Sequence, residues 1–505
     1  MTRPSRISAG STIAREAGGS LGLGVGGSVL RFLFGVLVAR LLALEWLGVY
    51  AISYAATRIG VEVAKLGLDH GIVRFVSRLH TLGEFPRLAA TLWRGLRYGF
   101  LASVIVGMVL WWNADRVGLA LTTNSSQAWV LSGFALTIPL MTTAAILAAA
   151  SQGLQQLRRR TLILDVYPPV TLCLVFVGLS GWVTPKWAIV AAFASAQGVS
   201  LLVAVLYQRR SLSLGSATAE AEPGLLSFSI PLMITALVTS LMRFGDVILL
   251  GWLTNPEMTG LYQIAGRTSG LIAMATASMM GIFAPIVAGF YARKETEQMR
   301  RHLQLVSRWS FTLAWPSFLF FLLFGEQILS VLDTSFAPAA GTLALLGASE
   351  VFWSLAAGNS SLLTMTRHPR LNLLIMAIAL VIDIAGNLVW IPRYGAAGAA
   401  LSLMVAVAVW TVLQTLAVGR LFRMVQLSPA HLKPLAAGLV AWTGTLAIRA
   451  PISTLGHVLE LLAASLAFGG LYVGSLFMLR IDSDDREVLT SLLRRSGNDR
   501  REIES

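Results

Sequence analysis

The chain has 505 residues, of which 55% are hydrophobic and only 13% charged, with a mean hydropathy of +0.71. Soluble domains carry about 25% charged residues, so composition excludes a string of soluble domains. The apolar residues come in blocks of roughly 20, enough to cross a hydrocarbon core of about 30 Å. The expected class is an all-α, polytopic membrane protein; the short alternating segments of a β-barrel do not dominate.

Fourteen spans are expected. The first six cover about 18–42, 47–66, 98–112, 128–149, 162–182 and 186–207. A polar stretch, 208–224, follows with Arg209, Arg210, Glu220, Glu222 and Pro223. The next six cover about 225–253, 259–288, 306–324, 340–362, 371–391 and 395–418, and a last pair covers 433–449 and 457–479. The expected organisation is an N-terminal six-helix lobe (1–207), a cytoplasmic linker (208–224), a second six-helix lobe (225–418), an extra helix pair (419–479) and a charged cytoplasmic tail (480–505).

The net charge of +14 could suggest nucleic acid. With the amino terminus inside, however, 30 of the 39 Lys and Arg residues fall in inner segments and five, Arg40, Arg116, Lys186, Arg393 and Arg449, in outer ones. That asymmetry follows the positive-inside rule, puts both termini in the cytoplasm and accounts for the surplus without nucleic acid. No cleavable signal peptide is expected, because the apolar stretch from Leu21 runs on into a span. The basic stretch 70–97 has two readings, a segment lying on anionic headgroups or an ordinary inner connection, and the second is favoured.

Little points to an enzyme. Cys173 is the single cysteine, the six histidines lack ligand-like spacing, and no Walker A, GxSxG or HExxH motif occurs. No metal or organic cofactor is expected.

A repeat is visible instead. Ser28-Val-Leu-Arg31-Phe32 recurs as Ser240-Leu-Met-Arg243-Phe244, and Gly48-Val-Tyr50 as Gly260-Leu-Tyr262, both at an offset of 212. The offset carries six spans onto six with the same orientation, a parallel repeat about an axis along the membrane normal. Two such lobes enclose a cleft that rocking opens to either side in turn.

Charges within spans mark candidate sites, since an Arg at mid-membrane costs about 2.5–3.5 kcal/mol on the insertion scale. Arg31 and its repeat mate Arg243 would face each other across the cleft, where flat guanidinium forks suit a diphosphate. Arg58 and Arg267 are further cavity cations. Structural alternatives are pairing of Arg243 with Asp246 at i+3 and a ladder of Arg58, Glu62 and Lys65. Glu62, Asp246, Glu350 and Asp383 are candidates for coupling to Na⁺ or H⁺; Asn387, one turn beyond Asp383, adds oxygen of the kind Na⁺ takes. Asp165 is expected to be solvated near an inner helix end. Kinks are expected at Pro139, Pro168-Pro169, Pro231, Pro285 and Pro316, and close helix packing along Gly18–Gly27.

At these residues the chain resembles the polysaccharide-transport branch of the multidrug/oligosaccharidyl-lipid/polysaccharide exporter superfamily. The resemblance rests on Arg31, Ala39-Arg40-Leu41-Leu42 and Gly48-Val49-Tyr50 in the first lobe. In the second it rests on Ile230-Pro231, Asp246, Gly251, Gly260-Leu261-Tyr262 with Ala265, and Asn387 through Ile391-Pro392 and Tyr394-Gly395 to Gly398-Ala-Ala. It covers about residues 10–425. It implies a flippase for polyprenyl-diphosphate-linked oligosaccharides of surface polysaccharide (exopolysaccharide, capsule or O-antigen), placed in the bacterial inner membrane. A cationic central cavity is also implied, and a polymerase or export complex is a candidate partner. Lipid II flippases of the superfamily carry an Arg-Asp pair in the first helix; here the aligned residues are Phe34-Gly35, which disfavours that cargo. The other rivals are a drug or metabolite antiporter, a membrane glycosyltransferase or ligase, for which the outer connections are short, and a non-transporting scaffold.

Overall fold

The computed structural model describes residues 6–122, 127–213, 220–366, 368–452 and 456–479. Among them there is no strand. In chain order the helices are α1 (Arg6–Leu41), α2 (Leu44–Ala64), α3 (Leu68–Leu82), α4 (Phe85–Trp112), α5 (Ala114–Thr122), α6 (Ala128–Ala135) and α7 (Ile138–Gly153). Next come α8 (Leu157–Thr161), a π-helical turn Leu162–Val166, α9 (Tyr167–Ser180), α10 (Pro185–Ser213), α11 (Leu225–Leu253), α12 (Pro256–Arg293) and α13 (Thr296–Leu332). The chain continues through α14 (Ala340–Leu355), α15 (Asn359–Met365), α16 (Pro369–Tyr394), α17 (Ala396–Phe422), α18 (Leu432–Ile452) and α19 (His457–Met478).

Among the described residues, eleven helical stretches are long and apolar enough to cross a membrane. Helices also occupy the places of the other three expected spans, in α2, α12 and α18. The third span begins earlier than its hydropathy suggests, because α4 runs unbroken from Phe85 and carries Arg87, Arg94 and Arg97 opposite a buried face of Leu88, Ala89, Leu92 and Leu96. The fourth is broken between Ala135 and Ile138, with Pro139 in the first turn of α7, as a proline-marked kink requires. Pro168-Pro169 follow the π-helical turn, where the hydrogen-bond ladder is already loosened. The tenth span breaks after Leu355, and Gly358 starts α15. Pro231 and Pro316 lie inside α11 and α13, yet the non-helical residue of α13 is Phe324, eight positions beyond Pro316.

Contacts divide the chain into two compact units, Met1–Arg267 with Leu380–Ser402, and Thr268–Ala379 with Leu403–Ser505. The first has α3 at its centre. Leu68, Ile72, Val76 and Leu79 of α3 pack fully buried against Leu88 and Leu92 of α4, Ile146 and Leu147 of α7, and Leu225 of α11. Each such side chain contributes about 1.5–3 kcal/mol on burial. The apolar face of α3 is therefore covered by protein. Gly67 makes the turn from α2 into α3 at φ +70°, and a Cβ there would strike the Ser229 carbonyl of α11. The end of the linker is pinned nearby. Glu222 is buried, with Arg87 at 3.0 Å and Arg78 at 3.7 Å, and its N–H donates to Thr91 Oγ1.

The repeat is visible in a reciprocal contact of the first unit. A side chain at Gly48 would collide with the backbone of Pro256, and one at Gly260 with the backbone of Leu44. Leu44 and Pro256 are themselves repeat mates, so this is the exchange a local twofold produces.

In the second unit α13 is the hub. Trp315, Leu319, Phe320 and Phe324 pack on Ala437 and Ala441 of α18 and on Ala464, Phe468 and Tyr472 of α19. The Tyr472 hydroxyl donates to the Thr312 carbonyl at 2.8 Å.

Candidate functional site

Three of the sequence candidates, Arg58 and Glu62 on α2 and Arg267 on α12, lie in the first unit. Tyr50, Tyr54, Arg58 and Glu62 follow one another at i, i+4 spacing and so line one face of α2. Tyr50 stacks on Tyr54 with ring centroids 6.1 Å apart, and Tyr54 meets Phe193 of α10 and Phe244 of α11 edge-on, each at 5.9 Å. The Arg267 guanidinium of α12 lies 5.6 Å from the Tyr50 ring centroid, in reach of a cation–π attraction. It also fills the space beside Gly35 of α1, where any Cβ would press on Nη1 and Cδ.

Arg58 and Arg267 share a second property. Arg58 Nε and Arg267 Nη1 are buried without a hydrogen-bond acceptor. Neither residue has an ion-pair partner among the described residues. A buried guanidinium N–H left unpaired is costly and calls for an anion. The ladder of Arg58, Glu62 and Lys65 does not form as expected: Lys65 takes Glu62 at 2.7 Å and Asp69 at 2.8 Å, leaving Arg58 outside.

The repeat mates Arg31 and Arg243 have different surroundings. Arg31 donates to Asp165 Oδ1 and to Ser28 Oγ, both at 3.1 Å, with the Arg31 and Asp165 side chains 45% and 30% exposed. Asp165, expected to be solvated, is thus the partner of Arg31; it comes from the π-helical turn, whose backbone Gly27 approaches closely. Arg243 is exposed and has no carboxylate partner among the described residues. Its i+3 neighbour Asp246 is engaged elsewhere.

Asp246, 3% exposed, accepts from the Tyr262 hydroxyl of α12 at 2.6 Å and from Asn387 Nδ2 of α16 at 2.8 Å. Asp383, 1% exposed, sits against Asp246. Asp383 Oδ1 and Asn387 Oδ1 have no hydrogen-bond donor. Two carboxylates, an amide oxygen and a phenol make an all-oxygen set, and two buried carboxylates side by side call for a compensating cation. Of the four acidic candidates, Asp246 and Asp383 come together; Glu62 is held by Lys65, and Glu350 is half-buried on α14 in the second unit. Sequence reasoning did not assign roles to Tyr50 and Tyr262, although the repeated Gly-x-Tyr marked both, and it did not find Asp165, whose partner is 134 positions away.

A two-unit helical membrane protein with unpaired cations on α2 and α12 and a buried acidic cluster between α11 and α16 has the make-up of a membrane transporter. A family model described as "Polysaccharide biosynthesis protein" matches residues 37–335, and the chain belongs to that family. The probable low-salt glycan biosynthesis flippase Agl15 of Haloferax volcanii is 23% identical over 169 residues; the match covers 33% of this chain and 36% of that relative, so the chain spans about a third of its length. Among solved structures, the lipid II flippase MurJ in an inward closed conformation matches with a TM-score of 0.69 and 13% identity, over 93% of this chain and 98% of that one. An inward-facing multidrug resistance MATE family transporter matches at 0.68 and 11%, over 79% and 94%. A superfamily transporter from Pyrococcus furiosus, described by the reverse polarity of its binding pocket, matches at 0.61 and 12%, over 81% and 95%. The fold is therefore that of the MurJ and MATE transporters.

Proposed function

We propose that the protein flips polyprenyl-diphosphate-linked oligosaccharides across the bacterial inner membrane for surface polysaccharide synthesis, by alternating access of its two repeat lobes. The observation that carries this reading is the pair Arg58 and Arg267, half-buried guanidinium groups with buried N–H atoms and no carboxylate to answer them. A diphosphate supplies the missing acceptors, and each fork can bind two phosphate oxygens at once. Arg31 and Arg243 complete the set of four cations; Arg31 would exchange Asp165 for phosphate. Asp246 and Asp383, with Asn387, hold the coupling cation, Na⁺ or H⁺. The activity is movement without bond chemistry, so no catalytic residue is assigned. The lipid bilayer supplies the cargo, and a polymerase or export complex receives it.

Lipid II is the second reading, favoured by the full-length likeness to MurJ, which at 13% identity extends to the fold alone. Gly35 speaks against it. Its place is where the lipid II flippases carry a polar side chain, and here the Arg267 guanidinium occupies that space.

The test is to replace Arg58 or Arg267 by Ala in cells that depend on this protein. Surface polysaccharide should disappear and a diphosphate-linked glycan lipid accumulate, with Lys recovering part of the function because it keeps charge but loses the fork. Normal polysaccharide from well-expressed Ala variants would overturn the reading.

A further inference from the structure

The diphosphate and cation sites leave the repeated Gly-x-Tyr itself unexplained. Gly48 and Tyr50 lie in the opening turns of α2, Gly260 and Tyr262 in those of α12. Each glycine faces the other helix's backbone: a Cβ at Gly48 would meet the carbonyl and Cα of Pro256, and one at Gly260 the carbonyl of Leu44. Neither glycine brings a side chain of its own to the contact, and only Leu44 Cδ1 shares it with the two backbones, so the helix starts approach closely. The charge distribution assigns this end of both helices to the outside.

Two residues further in, the tyrosines touch the two candidate sites. The Tyr262 hydroxyl donates to Asp246, and the Tyr50 ring carries the Arg267 guanidinium. We infer that Gly48 and Gly260 form the outer seal of the transport path on the axis of the repeat, and that Tyr262 and Tyr50 are positioning residues that tie this seal to Asp246 and Arg267. The inference rests on the transport reading for the existence of a path, but not on the identity of the cargo. A cation arriving at Asp246 draws in the Tyr262 oxygen as well, so the Tyr262 hydroxyl turns its proton away from the carboxylate. A phosphate arriving at Arg267 draws the guanidinium off the Tyr50 ring. Either event removes an anchor from the helix start just inside a glycine contact, so occupancy of a site loosens the seal.

The experiment uses the full-length protein in intact cells. Cys173→Ser removes the native thiol, and Tyr54→Cys, one turn inward of Tyr50, reports access through labelling by a membrane-impermeant maleimide added outside. Gly48→Val and Gly260→Val should each raise the labelling rate about tenfold, by favouring the open seal. The double variant should add little, because both substitutions open one contact. Gly178→Val is the control, adding the same bulk where nothing lies within 4 Å, and should label at the parent rate. Tyr262→Phe keeps the ring and loses only the hydroxyl; it should raise labelling several-fold at unchanged abundance, which a merely space-filling tyrosine would not do. Should the Val variants fail to reach the membrane, Ala at the same glycines adds one Cβ and should move labelling in the same direction. Parent-rate labelling in both glycine variants, or a response from only one, overturns the seal; parent-rate labelling in Tyr262→Phe overturns the tie. Labelling reads the seal, and glycan accumulation reads the cargo. A rise in labelling with no glycan phenotype in the arginine variants would sink the glycan-lipid cargo alone.

Discussion

The two copies of the repeat share a backbone frame and differ in what they carry at matched positions. Position 34 in α1 corresponds to position 246 in α11 at the offset of 212. Phe34 is buried and meets Phe176 edge-on at 5.8 Å, whereas Asp246 is a buried carboxylate gripped by a tyrosine and an amide. Arg58 of α2 has Gly270 as its mate, and Arg267 of α12 has Ala55. The frame stays symmetric where the backbones touch, at Gly48 and Gly260. Apart from Arg31 and Arg243, the intramembrane charges do not follow it. On the proposed function, the repeat supplies two lobes that rock, and the distinct chemistry on each assigns one place to an anion and another to a cation.

The largest effect expected from breaking this difference is at the anion side. Arg58→Ala or Arg267→Ala in purified protein should weaken inorganic pyrophosphate binding by about tenfold or more, as loss of a charge-assisted hydrogen bond of about 1.5–3 kcal/mol implies. Arg31→Ala should weaken it less, since Asp165 already occupies that guanidinium; calorimetric titration of the three variants ranks them.

Next is the cation side. Asp246→Asn and Asp383→Asn should abolish the dependence of transport in liposomes on an imposed Na⁺ or proton gradient while leaving pyrophosphate affinity unchanged. Equal loss of both properties would mean that the sites are not separate.

A third experiment writes the second copy's chemistry into the first. Phe34→Asp places a carboxylate beside Phe176 with no Tyr262 or Asn387 to receive it, and should lower stability by about 3 kcal/mol or more. Asp246→Leu should cost less, because removing one of two adjacent buried carboxylates offsets part of the loss at Tyr262 and Asn387. Melting temperatures in detergent decide the order.

The smallest effect lies outside both copies. Burial, with the Arg308 charge adding to it, holds the His431 imidazole below its usual value of 6.5, against a raising contribution from the Ser428 backbone. The folded state thus favours the neutral ring, whose Nε2 is 3.3 Å from Ser307 Oγ. Its contribution is complete above pH 6.5 and declines as the pH falls below that value. Thermal stability should therefore drop modestly between about pH 7 and 5, and His431→Gln should flatten that slope.

Helix positions were legible because apolar blocks and proline punctuation are local properties. The repeat was legible for the same reason, since its two short matches lie at equivalent points of two similar hydropathy profiles. Intramembrane cost singled out Arg31 and Arg243 first, then Arg58 and Arg267, and Glu62, Asp246, Glu350 and Asp383 alike, without telling which of them come together. Their partners were not legible. Asn387 reaches Asp246 across 141 positions and Asp165 reaches Arg31 across 134, distances over which no sequence pattern connects one helix to another. The amphipathic α3 shows the same limit: its apolar stripe told that something covers it, and only packing told that α4, α7 and α11 do so rather than lipid.

The attachment of α18 and α19 to α13 has a mechanical corollary. The Trp315 ring lies in the notch left by Gly438, and the Tyr472 hydroxyl grips the Thr312 carbonyl, so α13 is keyed to the pair at two heights. A keyed joint of this kind resists sliding and twisting alike. Whenever α13 swings, the last two helices must travel with it as ballast, displacing lipid over a wider front than a bare twelve-helix core would.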